Sequence, residues 1–179
     1  MKTFFQETLT TLILAVVIFF GLQTTIGNYS VDGPSMRPNF QDGQLLLVNK
    51  LVYKFHKPER GDVIIFRPPN DLHDDYIKRI IGLPGEIVDI EDGIVYVHKA
   101  NDEVLTLNEP YITNQASFPY EGSKIPEDAY FVLGDNRNNS LDSRAGWLVP
   151  RHKIIGKVWL STWPPGKWGL VASYSYKRG

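Results

Sequence analysis

The chain has 179 residues, 42% of them apolar, and a formal net charge of −1, enough for one sizeable domain or a domain with a small insertion. A near-neutral balance without basic blocks excludes an electrostatic case for nucleic acid. The absence of cysteine excludes disulfides, thiolate catalysis and thiolate metal sites.

The chain opens M-K-T-F-F-Q-E-T, and an apolar run follows from Leu9 to Ile26, with no polar side chain between Leu12 and Leu22. A run of about 18 such residues reaches across a bilayer. A cleavable leader would be followed by Ala-x-Ala-like small residues, whereas T-T-I-G-N-Y-S follows here. A buried core helix is the other reading, weakened because no polar face interrupts the run. The run therefore predicts an uncleaved, single-pass anchor. Residues 1–28 form the N-terminus and anchor, and residues 29–179 form the domain beyond it. Lys2 places the N-terminus on the cytoplasmic side.

The stretch Asp32 to Phe40, D-G-P-S-M-R-P-N-F, follows directly. Pro34 and Pro38 leave no room for a helix and stiffen the backbone on both sides of Ser35. A rigid turn suits an attacking hydroxyl, which must be held close to its target. Alone, the stretch reads more simply as a surface turn rich in Gly, Pro, Ser and Asn.

From Tyr29 onward the pattern is short strands between turns. Gln44 to Val48 and Asp62 to Phe66 are apolar runs of strand length, each preceded by a turn signal. Tyr76 to Ile81, Y-I-K-R-I-I, reads as a buried strand carrying two charges. Glu86 to His98 alternates around Asp92-Gly93, a type I′ hairpin signal. Asn101 to Lys124 is polar with scattered prolines, so an insertion of loops and short strands is expected around residues 90–125. Tyr130 to Leu133 and Lys153 to Leu160 supply further strands, and no soluble helix is evident. The fold class is mostly β.

In Tyr76 to Ile81, strand alternation turns one of Lys78 and Arg79 inward and the other outward. A lysine buried among Tyr76, Ile77, Ile80 and Ile81 loses hydration, and its pKa falls. Such an amine can take a proton from a serine. An edge strand with both charges in solvent is the other reading. Arg79, if even partly buried, needs a carboxylate partner. The loop Gly134 to Arg144, G-D-N-R-N-N-S-L-D-S-R, is dense in hydrogen-bonding groups. It is either a solvated turn or a support for a lysine base.

Taken together, these stretches resemble the bacterial type I signal peptidases, membrane-anchored Ser–Lys serine proteases, in the compact form common in Gram-positive bacteria and cyanobacteria. The match runs in order through G-P-S-M-R-P-N-F, R-G-D-V-I-I-F (Arg60 to Phe66), Y-I-K-R-I-I-G-L-P-G-E (Tyr76 to Glu86) and the G-D-N-R loop. The resemblance implies an antiparallel β-sheet catalytic domain with a small β insertion behind one transmembrane helix. Ser35 looks like the nucleophile, Lys78 the general base and Ser140 the hydroxyl that positions the amine. Asp142 is implied to pair with Arg144, and Asp135 with Arg79. Some members carry a serine two positions before the nucleophile, where this chain has Gly33. That leaves the Ser35 N–H, with the Gly33 region, to hold the oxyanion. The family loop usually reads G-D-N-R-D-N-S, and Asn138 stands at its fifth position here.

The implied substrates are the signal peptides of secreted preproteins, bound as an added strand beside Val31–Ser35 and Asp75–Lys78. Small residues at −1 and −3 would enter pockets walled by Tyr29, Val31, Met36, Phe40, Leu46, Ile65, Tyr76 and Ile77. Each of these also suits ordinary core. No cofactor or metal is implied, and His56, His73, His98 and His152 lack ligand-like spacing. The implied location is the bacterial cell membrane, or the thylakoid membrane, with the catalytic domain extracytoplasmic and transient contact with the export translocon. Two rivals stand beside this reading. One is a self-cleaving repressor-type Ser–Lys protease, against which the anchor argues. The other is a membrane-tethered β-domain that binds peptides without cleaving them. Finally, Trp159, Trp163 and Trp168 suit either a lipid headgroup contact with the face near Met36 or, for Trp159, the core.

Overall fold

The computed structural model describes residues 2–69, 74–174 and 176. Helix α1 spans Lys2–Thr25, then strands β1 (Ile26–Ser30) and β2 (Leu45–Asn49) flank a long loop. A single helical turn, α2 (Val52–Phe55), precedes β3 (Val63–Phe66) and β4 (Tyr76–Gly82). Strands β5 (Ile87–Glu91), β6 (Ile94–His98) and β7 (Val104–Thr106) come next. The chain continues with β8 (Ala129–Leu133), β9 (Val149–Pro150), β10 (Ile154–Trp163) and β11 (Gly169–Leu170).

Two antiparallel sheets result. The larger runs β1-β2-β10-β3-β4-β8-β9, with β11 also on β10, and the smaller is β5-β6-β7. Register shifts in β10 against both β2 and β3, and in β4 against β8, mark bulges. Bulges bend strands and add twist, so the large sheet closes on two cores rather than lying flat. Val48, Val63, Ile65, Ile77 and Val158 pack in one; Ile64, Phe66, Ile80, Val132 and Trp147 pack in the other. Adjacent residues of β3 go to different cores, as strand alternation requires.

The hairpin at Asp92-Gly93 forms with both residues at positive φ, 48° and 79°, the I′ signature. The insertion expected around 90–125 corresponds to the small sheet, which begins earlier, at Ile87, because β5 pairs β6. Val88, Ile90, Val95 and Val97 bury one face of it against Ile125 and Phe131.

Two expectations are corrected. Lys78 and Arg79 are both buried, at 4% and 2% exposure, because both faces of β4 are covered; neither turns outward. Trp159 is 49% exposed, with Trp163 at 54% and Trp168 at 69%, so Trp159 is not a core residue. Met36, by contrast, is fully buried and forms no face with them. Of the anchor expected over Leu9 to Ile26, Leu9 to Thr25 lie in α1, which begins earlier, at Lys2, while Ile26 opens β1. Among the described residues no helix is long and apolar enough to cross a membrane. Phe19, Phe20 and Leu22, which complete the apolar run, lie outside the described side chains, as does His73.

Candidate active site

Ser35 lies in the loop between the neighbouring strands β1 and β2. The base of this loop is closed by Val31 N–H to Gln44 O (2.9 Å) and Gly43 N–H to Val31 O (2.8 Å). Within it, Arg37 N–H donates to Pro34 O and Phe40 N–H to Met36 O. The side chains of Met36 and Phe40 fold under the turn into the core with Val31 and Leu46. The hydroxyl is thereby presented on a tight turn resting on apolar packing. Gly33 has φ 81°, a region that side-chain-bearing residues enter only with strain. Its N–H donates to Asp42 Oδ1 at 2.8 Å, so it is not available to an oxyanion. Among the described residues no acceptor takes the Ser35 N–H.

Lys78 reaches this serine from β4. Its Nζ lies 2.8 Å from Ser35 Oγ and donates to Ile77 O at 2.9 Å. Burial pulls the amine down to about 8, against Asp142 and Asp135, which hold it up. Desolvation wins because the two carboxylates are themselves engaged by arginines. Arg79 meets Asp135 bidentately, at 2.9 and 2.7 Å, and Arg144 meets Asp142 at 2.8 and 2.9 Å. A lysine with such a pKa is partly neutral near neutrality and can accept a proton.

The loop after β8 ties these parts together. Asn136 donates its N–H to Ser35 O (3.0 Å) and its amide to Pro34 O (3.1 Å). Asp135 N–H points at the Met36 sulfur, 3.4 Å away. Asp142 accepts from Gly134 N–H at 3.1 Å and also caps the 3-10 turn Ser143–Ala145. A Cβ on Gly134 would collide with Ser140 Oγ and meet Ser35 O at 2.5 Å; only glycine lets the two serine segments come this close. Ser140 is thus brought next to Ser35, but the hydrogen bond expected between its hydroxyl and the Lys78 amine is not formed. Ser140 Oγ is buried without a hydrogen-bond partner, and the amine's bonds go to Ser35 Oγ and Ile77 O.

A groove of about 430 Å³ opens beside Ser35 and Lys78. Tyr29, Val31, Leu46, Ile65, Tyr76 and Ile77 line it, joined by Ser30, Asp32, Asp74, Asp75 and Leu141. Met36 and Phe40 do not line it; they support the turn from beneath. Leu141, 58% exposed at the rim, was visible as the one large apolar residue in a polar loop. Arg137, buried and paired with Glu109 at 2.7 and 2.5 Å, gave no such sign, since its partner lies in the insertion. Asn138, the departure from the usual loop, bonds Ser117 N–H and Gln115 O; its role here is to fasten the loop to the insertion.

The model of the family described as signal peptidase, peptidase S26, matches residues 4–163. The chain belongs to this family. It is 38% identical over 167 residues to a probable signal peptidase I-2 of Synechocystis sp., covering 90% of this chain and 74% of that one. To signal peptidase I of Leptolyngbya laminosa it is 36% identical over 172 residues, 92% of this chain and 82% of that one. A signal peptidase I structure from Enterococcus faecalis aligns with a TM-score of 0.46 and 31% identity, over 57% of this chain and 97% of that one. Membership makes this a serine endopeptidase and removes both rival readings, the repressor-type protease and the non-catalytic module.

Proposed function

We propose that the protein removes N-terminal signal peptides from exported preproteins through a Ser35–Lys78 dyad. The observation that carries this reading is the 2.8 Å separation of Lys78 Nζ from Ser35 Oγ, with the amine held near 8 by burial. The neutral amine takes the Ser35 proton as Oγ attacks the carbonyl carbon at position −1. The Ser35 N–H faces the developing oxyanion, a contact of the kind worth roughly 2.7–4 kcal/mol in a dry site. Lys78 then gives its proton to the departing amine, leaving an acyl ester on Ser35. A water, deprotonated by Lys78, hydrolyses that ester and restores the hydroxyl. The substrate lies extended in the groove between Val31–Ser35 and Asp75–Lys78, and the walls around Leu46, Ile65 and Ile77 admit only small side chains at −1 and −3.

Helix α1 tethers residues 29–179 to the membrane as a single-pass anchor, with the N-terminus cytoplasmic and the domain outside. Every described side chain from Phe4 to Ile18 is exposed, so this apolar surface has no cover within the chain, and lipid supplies one. The exposed Trp159, Trp163 and Trp168 suit the headgroup layer, and the membrane level also brings the domain to the export translocon. The test is incubation of the detergent-solubilised chain with a preprotein ending its leader in Ala-x-Ala, followed by sequencing of the new N-terminus. Cleavage after that alanine is expected, and Ser35→Ala and Lys78→Ala should each lose nearly all of it, since a dyad acts as a unit. Near-normal cleavage by either variant would sink the dyad. For the anchor, carbonate-washed membranes should retain the chain; its release would refute the tether.

A further inference from the structure

Arg79 is the neighbour of Lys78, yet it faces a different enclosure. Besides Asp135, its guanidinium donates to Gly61 O (2.9 Å) and Ala172 O (3.5 Å). The Tyr111 ring stands 4.2 Å and the Tyr174 ring 5.2 Å from its central carbon, and the two rings pack 4.6 Å apart. Two of these contacts, Ala172 and Tyr174, come from the chain after β11, outside the residues 4–163 that match the family model.

That segment is held down along its length. Val171 N–H donates to Trp159 O at 2.9 Å. Ser173 Oγ donates to Asp62 Oδ1 at 3.2 Å, on a buried carboxylate that also takes Lys157 Nζ at 2.6 Å. A Cβ on Gly61 would collide with Tyr174 O, so the backbones touch where the chain enters β3. Beneath this roof, Asp135 accepts from Asn39 at 2.8 Å, and its neighbour Asn136 holds the Ser35 carbonyl.

We infer that Val171 to Tyr174 form a positioning strap, which roofs the Arg79–Asp135 pair and thereby fixes the turn that seats Ser35. The inference rests on the dyad reading above. An ion pair is strong where water is excluded and weak where it enters. Removing the Tyr174 ring opens the roof, loosens Asp135 and frees the Ser35 turn to shift. A displacement of about 1 Å at a nucleophile costs up to about 10²-fold in rate.

The experiment uses the full chain in detergent, well below its unfolding temperature, with the folded fraction measured by circular dichroism. Tyr174→Ala should lower kcat about tenfold or more with KM little changed. It should also move the acid limb of kcat/KM to higher pH, because Asp135 released from Arg79 favours the charged Lys78 amine. Tyr174→Phe, which keeps the ring, should restore both. Unchanged kcat in Tyr174→Ala, a loss that only follows the folded fraction with the acid limb in place, or no rescue by phenylalanine would overturn the strap. A Ser35→Ala control that stays active overturns the nucleophile and the strap with it. An inactive control beside an unaffected Tyr174→Ala overturns the strap alone.

Discussion

Replacing Lys78 with methionine should abolish cleavage and yet stabilise the fold at acid pH. The amine is 4% exposed and drops from 10.5 to about 8 on burial. That fall favours the neutral over the charged amine by about 3 kcal/mol. The folded pKa is depressed, so between about 8 and 10.5 the unfolded chain binds more protons, and stability rises with pH across that window. Below about 8 the wild type bears the whole cost of a buried charge. Methionine fills a similar volume without it, but leaves Ile77 O and Ser35 Oγ without their donor, at about 1 kcal/mol each. The net expectation is a variant about 1 kcal/mol more stable than wild type at pH 6 and less stable at pH 10. Urea unfolding in detergent at both pH values reads this directly. A difference between variant and wild type that stays constant from pH 6 to pH 10 would refute the buried, depressed amine.

Two further substitutions probe the supports. Asp135→Asn strands the buried Arg79 guanidinium without a counter-charge and should cost about 3–5 kcal/mol, seen as a large fall in thermal unfolding temperature; a small fall would mean that Gly61 O and the tyrosine rings suffice. Gly134→Ala drives a methyl group into Ser140 Oγ and Ser35 O, and should reduce kcat at least about tenfold through displacement of the nucleophile, whereas full activity would show the contact to be slack.

More of the candidate site than of the fold around it could be read from the residues. Ser35 stood out because two prolines bracket it, and Lys78 because a charge interrupts an apolar strand. Their pairing was inferred from chemistry and resemblance, and the 2.8 Å contact adds the distance. Asp92-Gly93 announced its hairpin through local turn chemistry alone. By contrast, nothing local predicts that both Lys78 and Arg79 are buried. Alternation describes a sheet with one wet face, and here both faces are covered. The Arg137–Glu109 pair and the Tyr174 contact join residues far apart in sequence, and periodicity carries no information about such pairs. Loop composition shows which groups are present in Gly134 to Arg144, but not that the Ser140 hydroxyl is buried without a hydrogen-bond partner or that the backbone carbonyl of Ile77 accepts from the amine.

The central claim is that a neutral Lys78 amine activates Ser35, and the pH dependence of kcat/KM on a signal-peptide substrate tests it most directly. The active form is the deprotonated amine, so the rate should climb as pH passes through about 8 and then level off. Lys78→Ala should show no such limb. A profile that is flat across this range, or that rises only near the roughly 10.4 of a solvated lysine, would contradict the account.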